Sequence, residues 1–244
     1  MNIIILTEND RIENQKFRIE DERFAHIITI LKANEGDVLE IGILNGPLGK
    51  ARIHSVTDSN ITLEIVELIK SDDVIVKIDL ICALPRPQTL KKVLSLCGTM
   101  GVNNLYFIRS EKVEKSYFHS PLLNEENYIK FLIEGLSQGK RTRLPNVYFF
   151  KRFKEFFRDQ FHENYNKENL YVAEQGSDHF LEKKDITRAN NITVAIGPEG
   201  GWNDFELQYM AERGFRPIKL SNSTLRVENA VNALLSQIEL IINQ

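Results

Sequence analysis

The stretch AIGPEGGWNDFE, residues 195–206, sets Gly197, Pro198, Gly200 and Gly201 between an apolar β-branched run and the start of a helix. Glycine gives up local stability for backbone freedom, and without a Cβ the main chain can come close to a ligand. Asn203 with Glu206 three residues on has the form of a capping box, so the glycines occupy a strand-to-helix turn. In open α/β sheets, ligands sit at such turns, at the carboxyl ends of strands. Two phosphate-binding patterns fail here. Trp202-Asn203 stands where a Walker loop needs Lys then Ser or Thr, and GPEGG is not GxGxxG. From this loop alone, a tight corner without a ligand is an equally fair reading. A second segment, KLSNSTLRVENAVNALL (residues 219–235), reads as a strand end, a polar loop and a helix, with Leu225 and Arg226 just ahead of the helix.

These loops need a scaffold, and 244 residues suffice for one large domain or two small ones. With 42% hydrophobic and 27% charged residues the chain is of the ordinary soluble globular class, not disordered or fibrous. A net charge of -3 means that any nucleic-acid binding has to come from local patches. Cys82 and Cys97 lie in apolar surroundings at no metal-ligand spacing, which predicts buried thiols in a reduced, cytoplasmic protein without metal. MNIIILTEND has no basic leader, and no apolar run reaches the length of a membrane span.

Residues 37–68 predict a small β-meander with a hairpin turn at Asn45-Gly46 and a second turn at Asp58-Ser59-Asn60. Ahead of it, residues 21–37 predict a short helix with Phe24, Ile27, Ile28 and Leu31 on one side. Lys70-Ser71-Asp72-Asp73 is a polar break that divides the chain into units 1–72 and 73–244. From Val74 strands alternate with helices: VIVKIDLICAL, TLKKVLSLCGTMG, NLYFIRS, EENYIKFLIEGLSQG, NLYVAEQ, ITVAIG and the final VENAVNALLSQIELIIN. This rhythm predicts an α/β unit, a mainly parallel sheet with flanking helices. KRFKEFFRDQF (residues 151–161) interleaves bases with aromatics. It suits either an RNA-stacking surface or inward packing of Phe153, Phe156, Phe157 and Phe161, and their helical spacing favours packing.

GPEGG, a loop ending in Leu-Arg, and the Glu228-Asn229-Ala230 helix start together resemble the SPOUT methyltransferases, and within them the RsmE-type branch. SQGKRTRLP (residues 137–145) is similar to the QSxRTRLP segment of that branch, Ser110-Glu111-Lys112 to its SER-type stretch, and residues 24–37 to the start of its PUA-like barrel. The resemblance implies a PUA-like N-terminal β-barrel, a C-terminal trefoil-knot domain and a homodimer. It also implies transfer of a methyl group from S-adenosylmethionine to N3 of a uridine in 16S ribosomal RNA, on the 30S subunit. The cofactor would be held by Ala173, Glu174, Ile196, Gly197, Glu199, Gly200, Gly201, Leu220, Ser223 and Leu225. Arg226 would be the catalytic cation, the alternative being a salt bridge to Glu199 or Glu228. RNA phosphates would meet Arg86, Lys91, Arg109, Lys112, Lys140, Arg141 and Arg143 as a set beside the cofactor loop.

Overall fold

The computed structural model describes residues 2–69, 76–161, 169–186 and 191–243, so the polar break at residues 70–73 and the unit boundary lie outside the described residues. The first unit comprises β1 (Ile4–Leu6), β2 (Arg11–Glu13), β3 (Lys16–Ile19), α1 (Glu22–Ala25), β4 (Val38–Ile43), β5 (Leu48–Val56) and β6 (Ile61–Ile69). The six strands form one sheet in the order β1-β4-β5-β6-β3-β2, antiparallel except where β1 runs parallel to β4. On β5 the alternation is regular: Gly49, Ala51 and Ile53 point inward while Lys50, Arg52 and His54 stay outside. Register shifts at Lys50/Ala51 and Ile53/Ser55 bend the strand, and the curved sheet wraps a core of Leu6, Phe17, Ile19, Ile41 and Leu63. The expected helix over residues 21–37 is only α1 and a π-turn through His26–Ile30, with Ile27 buried in that core. The meander is present as predicted, with Asn45 at φ 57 in its turn.

The second unit runs β7 (Ile78–Ala83), α2 (Pro87–Met100), β8 (Asn104–Ile108), α3 (Glu125–Gly139), β9 (Asn146–Phe150), α4 (Phe153–Glu155), β10 (Leu170–Ala173), β11 (Ile192–Ile196), α5 (Asp204–Ala211), β12 (Arg216–Ile218) and α6 (Val227–Ile242). Its strands make a sheet in the order β12-β10-β11-β7-β8-β9, and every neighbouring pair is parallel. β7 and β11 are buried along their whole length, as strands covered on both faces must be. α2 begins with Pro87 and stops at Gly101, whose φ of 71 only glycine adopts without strain. Phe156, Phe157 and Phe161 are buried and Phe153 partly so; packing is what their spacing serves. Cys82 and Cys97 are sealed in the core, and burial pushes both thiols well above their ordinary range. The apolar face of α6 (Val227, Val231, Leu234, Leu235, Ile238 and Ile241) packs into the core of the second unit. Among the described residues no helix is long and apolar enough to cross a membrane.

The two units meet through the segment after α3. Thr142 accepts a hydrogen bond at its carbonyl from the Asn45 amide (2.7 Å) and donates its hydroxyl to the Gly46 carbonyl (2.6 Å). The Leu144 amide donates to Asn45 Oδ1 (2.9 Å), and the Ile3 amide to the Ser137 carbonyl (3.1 Å). Ile3, Ile5 and Leu136 close an apolar cluster across the joint.

Within the second unit α2 and α3 touch backbone to backbone. A Cβ on Gly135 would run into the Ser95 carbonyl, one on Gly98 into the Leu132 carbonyl, and one on Gly139 into the Thr99 carbonyl. Nothing there can yield without moving a helix. Gly135→Val is therefore expected to cost about 3 kcal/mol or more. The measurement is urea unfolding against Gly176→Ala, where the nearest atom is the tip of the Glu174 side chain at 3.6 Å and the change should be small.

Candidate functional site

Parallel strands bring their carboxyl ends to one edge, and the loops that leave β10, β11 and β12 meet there around a cavity of about 150 Å³. Its walls are Ala173, Glu174 and Gln175 after β10, Ile196 to Glu199 with Gly201 and Trp202 after β11, and Leu220, Ser221, Thr224 and Leu225 after β12. Val227 and Ala230, in the first turn of α6, close it. Eight of the ten residues expected around a cofactor line this one space; Gly200 and Ser223 do not. Sequence reasoning missed Gln175, Pro198, Trp202, Ser221, Thr224, Val227 and Ala230. A wall built largely of main chain and apolar side chains gives no residue-type signal of its own.

The glycines divide by physical role. Gly201 has φ 68, and no atom lies within 4 Å of where its Cβ would stand. Gly197 lies against the Trp202 indole, which a Cβ would meet at 3.2 Å. Gly200 lies against Lys112, whose Nζ donates to the Gly200 carbonyl at 2.7 Å. A Cβ at Gly197 or Gly200 would thus press on a neighbouring side chain of the protein itself, and one at Gly201 would stand in open space. The capping box is formed as predicted: Asn203 Oδ1 accepts from the Glu206 amide (2.8 Å) and Glu206 Oε2 from the Asn203 amide (3.0 Å). Glu206 is buried, and its other oxygen accepts from the Glu111 amide at 2.8 Å. That bond ties the loop after β8 to the glycine loop. The Trp202 indole N–H is buried on the cavity wall and has no hydrogen-bond partner among the described residues.

The loop after β12 is held more lightly. Gln175 Nε2 donates to the Ser221 and Asn222 carbonyls at 3.3 Å each, and Gln237 Nε2 to the Leu220 carbonyl at 2.8 Å. Arg226 is the N-cap residue of α6; it is exposed and lies between two lining residues without lining the cavity itself. The salt bridge weighed for it is not formed with Glu199 or Glu228; Glu228 pairs with Lys92 instead, at 3.1 Å. Burial works to raise the Glu228 carboxyl, but its own amide, Lys92 and Arg226 outweigh burial and hold it below the usual range.

The expected RNA-facing cations separate onto two edges of the sheet. Arg86, the N-cap residue of α2, and Arg109 and Lys112, after β8, stand on the carboxyl edge with the cavity, and Lys91 lies one turn into α2. Lys91 Nζ is 5.6 Å from the Phe131 ring centre. Lys140, Arg141 and Arg143 precede β9 and so lie on the amino edge, opposite the glycine loop. Lys140 pairs with Glu40 at 2.6 Å across the joint. Arg141 Nε donates to the Thr99 carbonyl at 3.0 Å, its guanidinium filling the space where a Cβ on Gly101 would be. Lys140 and Arg143 are exposed, and Arg141 is half-buried. Strand direction thus divides the seven cations between two edges of the sheet.

Comparison with known proteins places this arrangement. A family model for the RNA methyltransferase domain matches residues 73–239. The chain is 28% identical over 236 residues to a ribosomal RNA small subunit methyltransferase E of Treponema pallidum, covering 96% of this chain and 88% of that one. It is 29% identical to ribosomal RNA small subunit methyltransferase E 1 of Borreliella burgdorferi, covering 96% and 95%. Among solved structures, a putative methyltransferase from Legionella pneumophila in complex with the bound cofactor SAM superposes with a TM-score of 0.77 at 18% identity, over 98% of both chains. A ribosomal RNA small subunit methyltransferase E from Neisseria gonorrhoeae bound to S-adenosyl methionine superposes with a TM-score of 0.76, also at 18% identity and over 98% of both. These likenesses extend across both units, and the family match spans the sheet, the glycine loop and most of α6: the chain belongs to the RNA methyltransferase domain family.

Proposed function

We propose that this protein transfers a methyl group from S-adenosylmethionine to N3 of a uridine in the decoding region of 16S ribosomal RNA, on the assembled 30S subunit. The observation that carries the reading is the cavity at the carboxyl edge of a parallel sheet, walled by the glycine loop, in a chain of this family. The same reading takes the curled N-terminal sheet as a PUA-like RNA-binding unit, with the division at 72/73, and the C-terminal unit as a SPOUT trefoil knot. It takes the working particle as a cytoplasmic homodimer. Arg86, Lys91, Arg109 and Lys112 would meet RNA phosphates near the cavity, and Arg143 would do so from the other edge.

The cavity suits the cofactor in kind. Ile196, Leu220, Leu225, Val227 and Ala230 offer apolar walls for a flat base, and the main chain of three loops offers hydrogen bonds. Glu174 and Glu199, both among the lining residues, give the wall an acidic character that suits a sulfonium and an ammonium. The buried indole N–H of Trp202 lacks an acceptor that a ligand or a loop shift would supply. At about 150 Å³ the space is roughly half the ~300 Å³ at which small-molecule pockets begin, so the loop after β12, the lightly tied wall, has to give way on binding. When bound, the cofactor supplies an electrophilic methyl carbon for in-line displacement.

The protein has to supply position and charge. Uridine N3 carries a proton at neutral pH and becomes nucleophilic when it is lost, leaving negative charge on N3 and the flanking carbonyl oxygens. A cation close to those oxygens favours the ionised base. Arg226 stands at the N-terminus of α6, where the helix dipole adds positive potential, next to the lining residues Leu225 and Val227.

Label transfer from S-adenosylmethionine to 30S subunits and to naked 16S rRNA, both from cells lacking this protein, tests the function. Label recovered as 3-methyluridine, more on 30S, is the expected result; label elsewhere replaces the target. No label with cofactor bound leaves an RNA-binding assembly factor. Saturating S-adenosylmethionine at roughly 100 times its Kd should add about 2.7 kcal/mol, raising Tm by about 5–10 °C, and should slow amide exchange over residues 219–225. Arg226→Ala should keep cofactor affinity within about twofold, lower kcat roughly 10²-fold and move the pH–rate profile upward, because the uridine then loses its proton at higher pH. Arg226→Lys should recover part of both, and an unchanged pH profile in Arg226→Ala would remove this residue from the chemistry.

A further inference from the structure

The aromatic and basic segment 151–161 has an outer face as well as a packed one. Lys151, Arg152, Lys154 and Arg158 are exposed on it. Against it stands the first turn of α5, where Phe205 leaves 49% of its surface to solvent. Lys154 Nζ lies 4.7 Å from the Phe205 ring centre. Phe205 meets Tyr209 at 5.6 Å between ring centres, and the Arg213 guanidinium covers Tyr209 at 3.5 Å. Arg152 and Arg158 are paired with Glu155 and Asp159. Lys151, Lys154 and Arg213 have no ion-pair partner among the described residues.

This surface connects to the cavity through rings in contact. Trp202 lines the cavity, Phe153 packs on Trp202 at 6.2 Å and on Tyr209 at 5.7 Å, and Tyr209 meets Phe205. The neighbours of Phe205 along the exposed side of α5, Asp204, Gln208 and Glu212, are polar, two of them acidic. A protein-docking core would be a contiguous apolar patch. One open ring with cations about it is instead what stacks an unpaired base and neutralises its phosphates.

We infer that Phe205, backed by Tyr209 and with Lys154 and Arg213 beside the two rings, forms a stacking site for an unpaired RNA base that neighbours the nucleotide held at the cavity. The inference rests on the RNA methyltransferase reading and adds to it a place where the strand is gripped outside the reacting base. Lys154 exchanges its contact with the ring for one with a phosphate when the base arrives.

The test is steady-state methyl transfer by the full chain to 30S subunits from cells lacking this protein, with KM for the subunits and for S-adenosylmethionine measured separately. Phe205→Ala should raise KM for the subunits on the order of ten- to a hundred-fold. Its KM for the cofactor and its Tm should stay close to those of the wild type, because the ring is half exposed. Phe205→Tyr should restore binding and Phe205→Leu should not, since stacking needs the π-face rather than apolar bulk. Lys154→Ala should reduce the slope of log affinity against log salt by about 1. Active wild type with an unaltered Phe205→Ala variant would overturn the stacking site and leave the enzyme reading intact. So would full rescue by Phe205→Leu, which would mark a surface for an apolar partner. A wild type that neither binds subunits nor methylates any RNA would overturn both.

Discussion

Six strands that all point the same way govern what this molecule presents to its surroundings. A parallel neighbour cannot be reached by a hairpin, so each connection has to travel back across the sheet, mostly as a helix. The edges consequently differ. At the carboxyl edge the chain arrives in strands and leaves in loops, and there the glycine loop, the 219–226 loop and the start of α6 close on one cavity. At the amino edge it arrives from helices, and there the segment 140–145 turns from α3 into β9 and fastens the N-terminal sheet. Ligand loops and structural joint are thus kept apart by direction alone.

Glycine serves two unlike needs here, and both come down to what a single Cβ would strike. In the α2–α3 seam it would strike helix carbonyls, so two helices come closer than side chains allow. In the loop after β11 it would strike an indole and a lysine stem at two positions, and nothing at the third. The loop is braced from outside by Glu206, which satisfies two amides from separate segments, and by Lys112 on the Gly200 carbonyl. Buried acceptors with complete partners hold such a loop in one shape, which suits a site whose contacts are mainly backbone.

Much of the second unit, and the hairpin of the first, was legible because the signals are local. Leu90, Val93, Leu94 and Cys97 recur at helical spacing and are all buried; Asn203 and Glu206 announce their own cap; Asn45-Gly46 announces its hairpin. The first strands of the N-terminal unit were not legible. β1, β2 and β3 are three or four residues long and are defined by the strands they join. NVYFF, which is β9, escaped because an edge strand beside a run of phenylalanines has no clear period. The site was legible in its glycines and its Leu-Arg pair but not in Gln175 or Trp202, whose places depend on which loops meet. The placement of the basic cluster 140–143 was not legible for a related reason: charge is read along the chain, while the edge of the sheet on which it falls is decided by strand direction. Lys140 in particular spends its charge on Glu40.

The joint between the units also decides how the molecule can measure. Main-chain and side-chain hydrogen bonds at Thr142, Asn45 and Ile3, with an apolar plug behind them, tie the curled sheet to the parallel one among the described residues. While that joint holds, the span from one to the other works as a gauge and not as an adjustable arm. A partner that touches both has to bring its own two surfaces to that spacing, and one whose parts have not yet reached their final positions fits at one jaw only. Discrimination of that kind falls on the assembled shape of the partner, whatever its local chemistry.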